Sequence, residues 1–195
     1  MIRFFDIIFS GIGLLVLSPI FLILYILIRC ESPGGGFYRQ ERIGKDGVPF
    51  RLLKFRSMRK NADKAGLITV GGRDPRITRM GYFIRRYKLD ELPQLWNVLI
   101  GDMSLVGPRP EVEKYTRLYS EEQCKVLSVR PGITDWASIE YVDENVILGK
   151  AEDPDKAYIE QIMPDKIRYN MRWIDHQTVG EYFKIIFTTL LKIVR

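Results

Sequence analysis

Histidine is nearly absent from this 195-residue chain and cysteine is scarce: His176 stands alone, and Cys30 and Cys124 form no CxxC pair. One histidine excludes HExxH metalloproteases and His-rich metal sites, and leaves any Ser-His-Asp or Cys-His nucleophile dependent on that single side chain. Two cysteines are too few for a zinc site, so a reducing compartment with buried or idle thiols is expected. Cys30, beside an apolar segment, is also open to acylation. Proton and phosphoryl chemistry therefore falls to carboxylates. Internal repeats, low-complexity tracts and a dividing linker are missing too, and the length suits one domain with its own core.

Charge is missing over one long stretch. From Ile7 to Ile28, 22 consecutive positions carry none. As one helix they would span roughly 33 Å, about the thickness of the hydrocarbon core, and so read as a membrane helix. A secretory leader fits less well, because Arg3 is the only cation ahead of the run and no A-x-A-like site follows Ile28. Ser18-Pro19 interrupts the run at its middle. Proline removes an N–H and pushes away the carbonyl one turn back, and in lipid a neighbouring Ser hydroxyl can satisfy one of the freed groups. Bent there, the segment is re-entrant and leaves by the leaflet it came from; unbent, it crosses. Of the 30 basic residues, 29 follow the run, which puts the body in the cytoplasm for either geometry.

The remainder is basic, with Lys+Arg 30 against Asp+Glu 24 and a pI near 9.3, which favours nucleic acid, anionic lipid or phosphorylated substrates as partners. The C-terminal "EYFKIIFTTLLKIVR" sets Glu181, Lys184, Thr188, Lys192 and Arg195 on one helical stripe with apolar residues around it. A buried core helix and an in-plane interfacial helix both read this way.

Between the ends, "YRQERIGKDGVPFRLLKFRSM" predicts two strands joined around Asp46-Gly47, the second delivering Lys54, Arg56 and Ser57 to one region. Residues 60–76 read as a loop. Ile77 to Leu89 predicts a helix with Ile77, Met80, Phe83, Ile84 and Tyr87 on its apolar face. A second helix is expected from Asp90 to Ile100, with Pro93 in its first turn, Leu92, Leu95, Trp96 and Leu99 as its buried side, and Gly101 as its end. Pro108 and Pro110 then hold Arg109 in a stiff extended segment, suited to gripping phosphate. The rest is mostly helical and broken at "VRPGITDW". The expected fold is α+β, mostly α-helical with a short β-hairpin, divided into a membrane helix-break-helix over 1–30 and a catalytic body with interfacial helices over 31–195.

Asp90 and Glu91 follow a stretch in which Arg73, Arg76, Arg79, Arg85, Arg86 and Lys88 face one acid, Asp74. Acids in a first helical turn are ordinary, because they accept from free N–H groups. Amid arginines on a membrane-tied chain they suggest phosphoryl transfer: an aspartate beside cations stays ionised as a nucleophile, a glutamate supplies Mg²⁺ with a carboxylate, and arginines offset phosphoryl charge.

The motifs Lys54-Phe55-Arg56-Ser57-Met58, Leu89-Asp90-Glu91-Leu92-Pro93-Gln94-Leu95-Trp96-Asn97-Val98, Gly101-Asp102-Met103-Ser104-Leu105-Val106-Gly107-Pro108-Arg109-Pro110 and Arg130-Pro131-Gly132-Ile133-Thr134 resemble the bacterial sugar transferases, the monotopic phosphoglycosyl transferases. The resemblance covers nearly the whole chain and includes Ser18-Pro19, which in that family bends a re-entrant helix. It implies transfer of a phosphosugar from a UDP-sugar to a polyprenol phosphate at the cytoplasmic face of the bacterial inner membrane, with UMP released, as the first membrane step of glycoconjugate assembly. Asp90 matches the nucleophile that forms a covalent phosphosugar intermediate, Glu91 its partner at Mg²⁺, and Arg85 and Arg109 phosphate ligands, with Lys54 and Arg56 as further phosphate-binding candidates. Membrane lipid is an implied partner, nucleic acid is not, and a homo-oligomer is left open. The chain reads as a minimal member without the N-terminal membrane-spanning extension of larger relatives. It departs from the family at Asp135-Trp136-Ala137-Ser138, where many relatives have Gly, an apolar residue, Ala and Gln, and at Tyr169-Asn170, where many have Tyr-Asp. Two other readings remain: a basic membrane-associated nucleic-acid binder, and a scaffold without catalysis.

Overall fold

The computed structural model describes residues 1–62, 74–141 and 144–194. Arg73, most of the expected 60–76 loop, and Arg195 of the C-terminal stripe lie outside them. The apolar run forms a single helix, α1, Ile2–Glu31, which stays α-helical through Pro19 where a helix-break-helix was expected. Pro19 has no N–H to offer Leu15, four residues back, and the Ser18 hydroxyl donates to that carbonyl instead at 2.7 Å.

After α1 comes the expected hairpin, β1 (Phe37–Ile43) antiparallel to β2 (Pro49–Phe55), with Tyr38 opposite Lys54. Its turn uses Asp46 at φ 57° and Gly47 at φ 75°, the paired left-handed conformations that match the strand twist. Helix α2 (Arg79–Arg86) is capped by Thr78, whose hydroxyl accepts from the Gly81 N–H at 2.9 Å. Ile84 is buried on α2, but Phe83 and Tyr87 of the expected apolar face are exposed and pack against each other, tilted, with ring centroids 5.1 Å apart. Helix α3 (Gln94–Ile100) ends at Gly101.

A second sheet was not expected. Strand β3 (Ser104–Val106) pairs in parallel with β4 (Gly132–Thr134). Three-residue strands carry no readable alternation, and the pairing depends on backbones meeting across 28 residues: a Cβ on Gly132 would lie 2.1 Å from the Gly107 nitrogen. Short helices α4 (Glu113–Thr116), α5 (Trp136–Glu140), α6 (Glu144–Leu148) and α7 (Pro154–Ala157) follow the chain outward. A π-helical segment, Tyr158–Ile162, leads from α7 into α8 (Met163–Asp175), and α9 (Val179–Val194) closes the fold.

Helix α1 docks on this body along its length. Arg3 donates to the Val98 and Leu99 carbonyls at 2.6 and 2.9 Å, groups at the C-terminal end of α3 that a helix leaves without intrahelical partners. Asp6, 1% exposed, accepts from the Ser104 hydroxyl, the Leu105 N–H and the Tyr182 hydroxyl at 3.0, 2.9 and 2.9 Å. In the middle, Gly11 and Gly13 pass Leu99 and Leu95 of α3. At the far end Leu24 and Ile28 pack with Phe55 and Ile84, each burial worth roughly 1.5–3 kcal/mol, and Glu31 accepts from the Arg79 and Met80 N–H groups at the start of α2. The other side of α1 is bare: Leu15 is 75% exposed and Val16 66%. Helix α9 is divided likewise. Tyr182 and Ile185 are fully buried on the body, as the core-helix reading expects, while Phe187, Leu190 and Leu191 form an exposed apolar face.

Candidate active site

The dyad lies in a tight 3₁₀ turn, Leu89–Glu91, ahead of α3. The expected single helix from Asp90 is therefore two pieces, with Pro93 at the cap of α3. The chain enters the turn through Lys88 at φ 55°, a left-handed conformation costing a non-glycine residue about 1–2 kcal/mol. The buried side of α3 is only partly the one expected: Leu92, Leu95 and Leu99 are half-buried, Trp96 is 49% exposed, and Gln94, Asn97 and Val98 are buried instead. The cause is the neighbour. Asn97 accepts from the Leu53 N–H and donates to the Arg51 carbonyl, both at 2.9 Å, so the polar face of α3 is tied to strand β2 and the apolar face is left to α1 and the outside.

That tie sets the dyad beside Lys54. The Glu91 carboxylate receives the Lys54 ammonium at 3.3 Å and a two-pronged grip from Arg109, with Nη1 on Oε2 at 3.2 Å and Nη2 on Oε1. Burial opposes the Glu91 charge, but Arg109 and Lys54 outweigh it and hold the group well below the usual carboxylate range. The Glu91 charge in turn raises Arg109. Asp90 moves the other way. Burial, then the Glu91 charge, push it up, against the pull of Lys54, Arg85 and Lys88. Burial thus works against the ionised Asp90 that the sequence suggests, and Glu91 is the more readily ionised acid of the pair. Among the described residues nothing donates a hydrogen bond to the Asp90 carboxylate, which leaves both oxygens open to the cleft.

The cleft has a volume of about 320 Å³. Nine cationic side chains line it, Arg42, Lys54, Arg56, Arg59, Arg76, Arg85, Lys88, Arg109 and Lys166, against four acids, Asp90, Glu91, Glu111 and Glu144. The surplus suits a ligand of several negative charges. Arg85, on the last turn of α2, lies on the Asp90 side. Arg56 is at the wall but spends Nε and Nη2 on the carbonyls of Gly35, Gly34 and Phe37, at 3.0, 2.8 and 3.3 Å. Arg109 sits in an irregular segment whose N–H reaches the Asp135 carboxylate at 3.4 Å, and Asp135 also caps α5 by accepting from the Ser138 N–H at 2.6 Å. One of the unusual positions in the sequence thereby supports the arginine loop. His176 is exposed at the end of α8 and takes no part in the cleft; both cysteines are unpaired and exposed, so of the two expected states, buried or idle, they are not buried.

The profile of the bacterial sugar transferases matches residues 1–195. The chain belongs to the bacterial sugar transferase family. It is 36% identical over 191 residues, 96% of the chain, to the UDP-glucose:undecaprenyl-phosphate glucose-1-phosphate transferase of Escherichia coli, of which it covers 39%. It is 37% identical over 191 residues, again 96% of the chain, to the UDP-N-acetylgalactosamine-undecaprenyl-phosphate N-acetylgalactosaminephosphotransferase of Aeromonas hydrophila, of which it covers 42%. Identity rises to 51% over 120 residues, 62% of the chain and 67% of the relative, with a Bacillus subtilis protein provisionally named an undecaprenyl-phosphate N-acetylgalactosaminyl 1-phosphate transferase. The chain thus spans about two-fifths of the length of the first two.

Whether the site fits a magnesium ion is a question of donor chemistry. No group of three or more His, Cys, Asp or Glu side chains gathers as a metal cage among the described residues. Mg²⁺ commonly needs only one or two carboxylates, with phosphate oxygens and water completing the octahedron. The Glu91 carboxylate offers about four lone-pair positions and its cations use three, while Asp90 is open, so the dyad fits such an ion.

Sequence reading missed Arg42, Glu111, Glu144, Tyr158 and Lys166 at the other side of the cleft. The Lys166 ammonium lies 3.1 Å from Glu144, 3.4 Å from the Tyr158 hydroxyl and 3.6 Å from Glu111. The only trace of this in the sequence is a lysine on the apolar side of a helix.

Proposed function

We propose that the protein transfers a phosphosugar from a UDP-sugar to a polyprenol phosphate with release of UMP, through a covalent intermediate on Asp90. The observation that carries this is an open, buried carboxylate in a cleft with five more cationic than acidic side chains. In the first step an Asp90 oxygen attacks the phosphorus that bears the sugar and the bond to the UMP oxygen breaks. In the second, a phosphate oxygen of the lipid attacks the same phosphorus and frees the aspartate. Arg85 and Lys88 lie where they pull the Asp90 proton away and neutralise the departing phosphate. Glu91 holds Arg109 and Lys54 in place, and Arg109 can exchange part of that grip for a phosphate oxygen, the same bidentate geometry serving both anions. Mg²⁺, held by Glu91 and Asp90, would further offset charge on the diphosphate.

The proposed membrane placement rests on the contacts of α1. Arg3 and Asp6 at its start and Ile28 and Glu31 at its end all engage one body, and a helix crossing the bilayer would part those contacts by about 30 Å of hydrocarbon. This supports a re-entrant helix in the cytoplasmic leaflet of the bacterial inner membrane, with the exposed apolar sides of α1 and α9 in lipid. The test of function is direct: the purified protein, a panel of UDP-sugars and polyprenol phosphate are incubated with Mg²⁺ and UMP is measured. UMP release dependent on one UDP-sugar is expected. Its absence across the panel, with steeply salt-dependent nucleic-acid binding in its place, would favour the binder instead.

A further inference from the structure

Two ends of the cleft differ in charge, and the order of groups along it is set by their neighbours. Arg85 and Lys88 act on Asp90 from one side, and Glu91 leads on to Arg109. Beyond Arg109, within reach of its charge, stand Glu111 and Glu144. Resting on the transferase reading above, we propose that Glu111, Glu144, Tyr158 and Lys166 form the subsite that reads the hydroxyl groups of the transferred sugar, with Glu144 a specificity-determining residue.

The chemistry separates the two ends. UMP leaves from the face of the phosphorus opposite Asp90, and the lipid phosphate must later attack from that same face, so one end accepts a phosphate in both steps. The end with Arg59, Arg76, Arg85 and Lys88 is cationic, and on α2 it adjoins the exposed rings of Phe83 and Tyr87 and the buried seam with Leu24 and Ile28 of α1, the route by which a lipid arrives. At the far end Glu111 and Glu144 are offset by Arg42 and Lys166, which leaves no surplus positive charge for a phosphate. These groups suit a neutral polyol, which needs acceptors for its hydroxyl protons and donors for its oxygens; the carboxylates supply the first and the Lys166 ammonium the second, while the Tyr158 hydroxyl, which donates to Glu111, offers an oxygen that can accept from a sugar hydroxyl.

The far end is built rather than incidental. Lys166 is 6% exposed and Tyr158 4%, and a buried lysine persists only where it is paired. Arg42 steadies Glu111 at 3.7 Å while donating to the Pro110 carbonyl at 3.0 Å, which connects the subsite to the Arg109 loop. Tyr158 opens the π-helical segment, a wider turn of a kind often found at functional sites; it lets Tyr158 and Lys166, eight residues apart, meet on one side.

The experiment uses the full chain with polyprenol phosphate, UMP release as readout, and UDP-glucose, UDP-galactose and their N-acetylated counterparts as probes. Free UMP serves as an inhibitor that lacks the sugar. Glu144→Gln keeps the shape and removes the charge, and Tyr158→Phe removes one oxygen; retained thermal melting shows that both fold. Either is expected to lower kcat/KM for the preferred UDP-sugar about 10-fold or more and to change the ranking of the four, with UMP inhibition within about 2-fold of the parent. Equal losses for all four sugars with matching weakening of UMP, or an unchanged ranking at full activity, would overturn the subsite alone. Failure of the parent to release UMP from any UDP-sugar would overturn the transferase reading and the subsite with it.

Discussion

The outer side of α1 and the interior of the cleft distribute polar groups in opposite senses. Between Ile7 and Ile28 the exposed residues of α1 are apolar apart from Ser18, while near its start Arg3 and Asp6 turn to the body and at its end Glu31 holds the start of α2. In the cleft the interior is charged and Glu91 is held by two cations. The difference shows what each region has for a solvent. On the proposed membrane placement, a side facing hydrocarbon would leave Leu15 and Val16 bare, while the helix is secured by hydrogen bonds made against the body. A cleft that must receive phosphate keeps its charges close together and spends them on one another until the ligand comes.

The largest effect should come from breaking the cleft. Asp90→Asn is expected to lower turnover about 10³-fold or more and to abolish covalent labelling by a radiolabelled UDP-sugar, because an amide cannot displace UMP. Full labelling of that variant would remove Asp90 from the mechanism. Glu91→Gln should chiefly impair Mg²⁺-dependent turnover.

Next comes the clasp of α1. Asp6→Ala leaves the Ser104 hydroxyl, the Leu105 N–H and the Tyr182 hydroxyl without their acceptor and should destabilise the detergent-solubilised protein by about 3 kcal/mol in denaturant melts. Its partner test is topological. With Cys30 and Cys124 replaced by Ser, Ile2→Cys should react with an impermeant reagent only when the cytoplasmic face is opened. Replacing Ser18 and Pro19 by Ala and Leu together should send a measurable fraction of molecules across the bilayer. Labelling of position 2 from outside intact cells in the otherwise native chain would exclude the re-entrant placement.

Smaller changes sharpen the contrast. Arg85→Lys and Arg109→Lys keep the charge and lose the planar fork, so each should reduce kcat/KM about 10-fold; kinetics unchanged in both would assign these cations to lipid headgroups. The least effect is expected on the outer side of α3. Trp96→Ser should shift stability by about 0.5 kcal/mol or less, whereas Val98→Ala, at a fully buried site two residues on, should cost about 2 kcal/mol. Equal losses would mean that the indole is packed as the sequence pattern alone suggests.

Local signals were readable where chemistry and neighbours lie close together in the chain. Asp46-Gly47 marks the hairpin turn because few other pairs adopt two left-handed conformations, and the 22 uncharged positions of α1 mark an apolar helix by length alone. The faces of α2 and α3 were partly misread for one reason: periodicity shows that a helix has two sides and not which side meets protein. With a bilayer outside, Phe83, Tyr87 and Trp96 can face outward while Asn97 turns in to strand β2.

By itself the sequence determined the motif order, the dyad, the apolar run and with them the family, because each is a matter of residue identity and spacing. Tertiary structure alone decided that Glu91 is gripped by Arg109, 18 residues away, that burial and this charged neighbour lift Asp90, and that Asp6 binds Tyr182 across 176 positions. It also gathered Lys166 with Glu111 and Glu144 at the far end of the cleft. The physical reason is common to all of these: electrostatic and hydrogen-bond energies depend on distance and burial in space, and sequence separation carries neither.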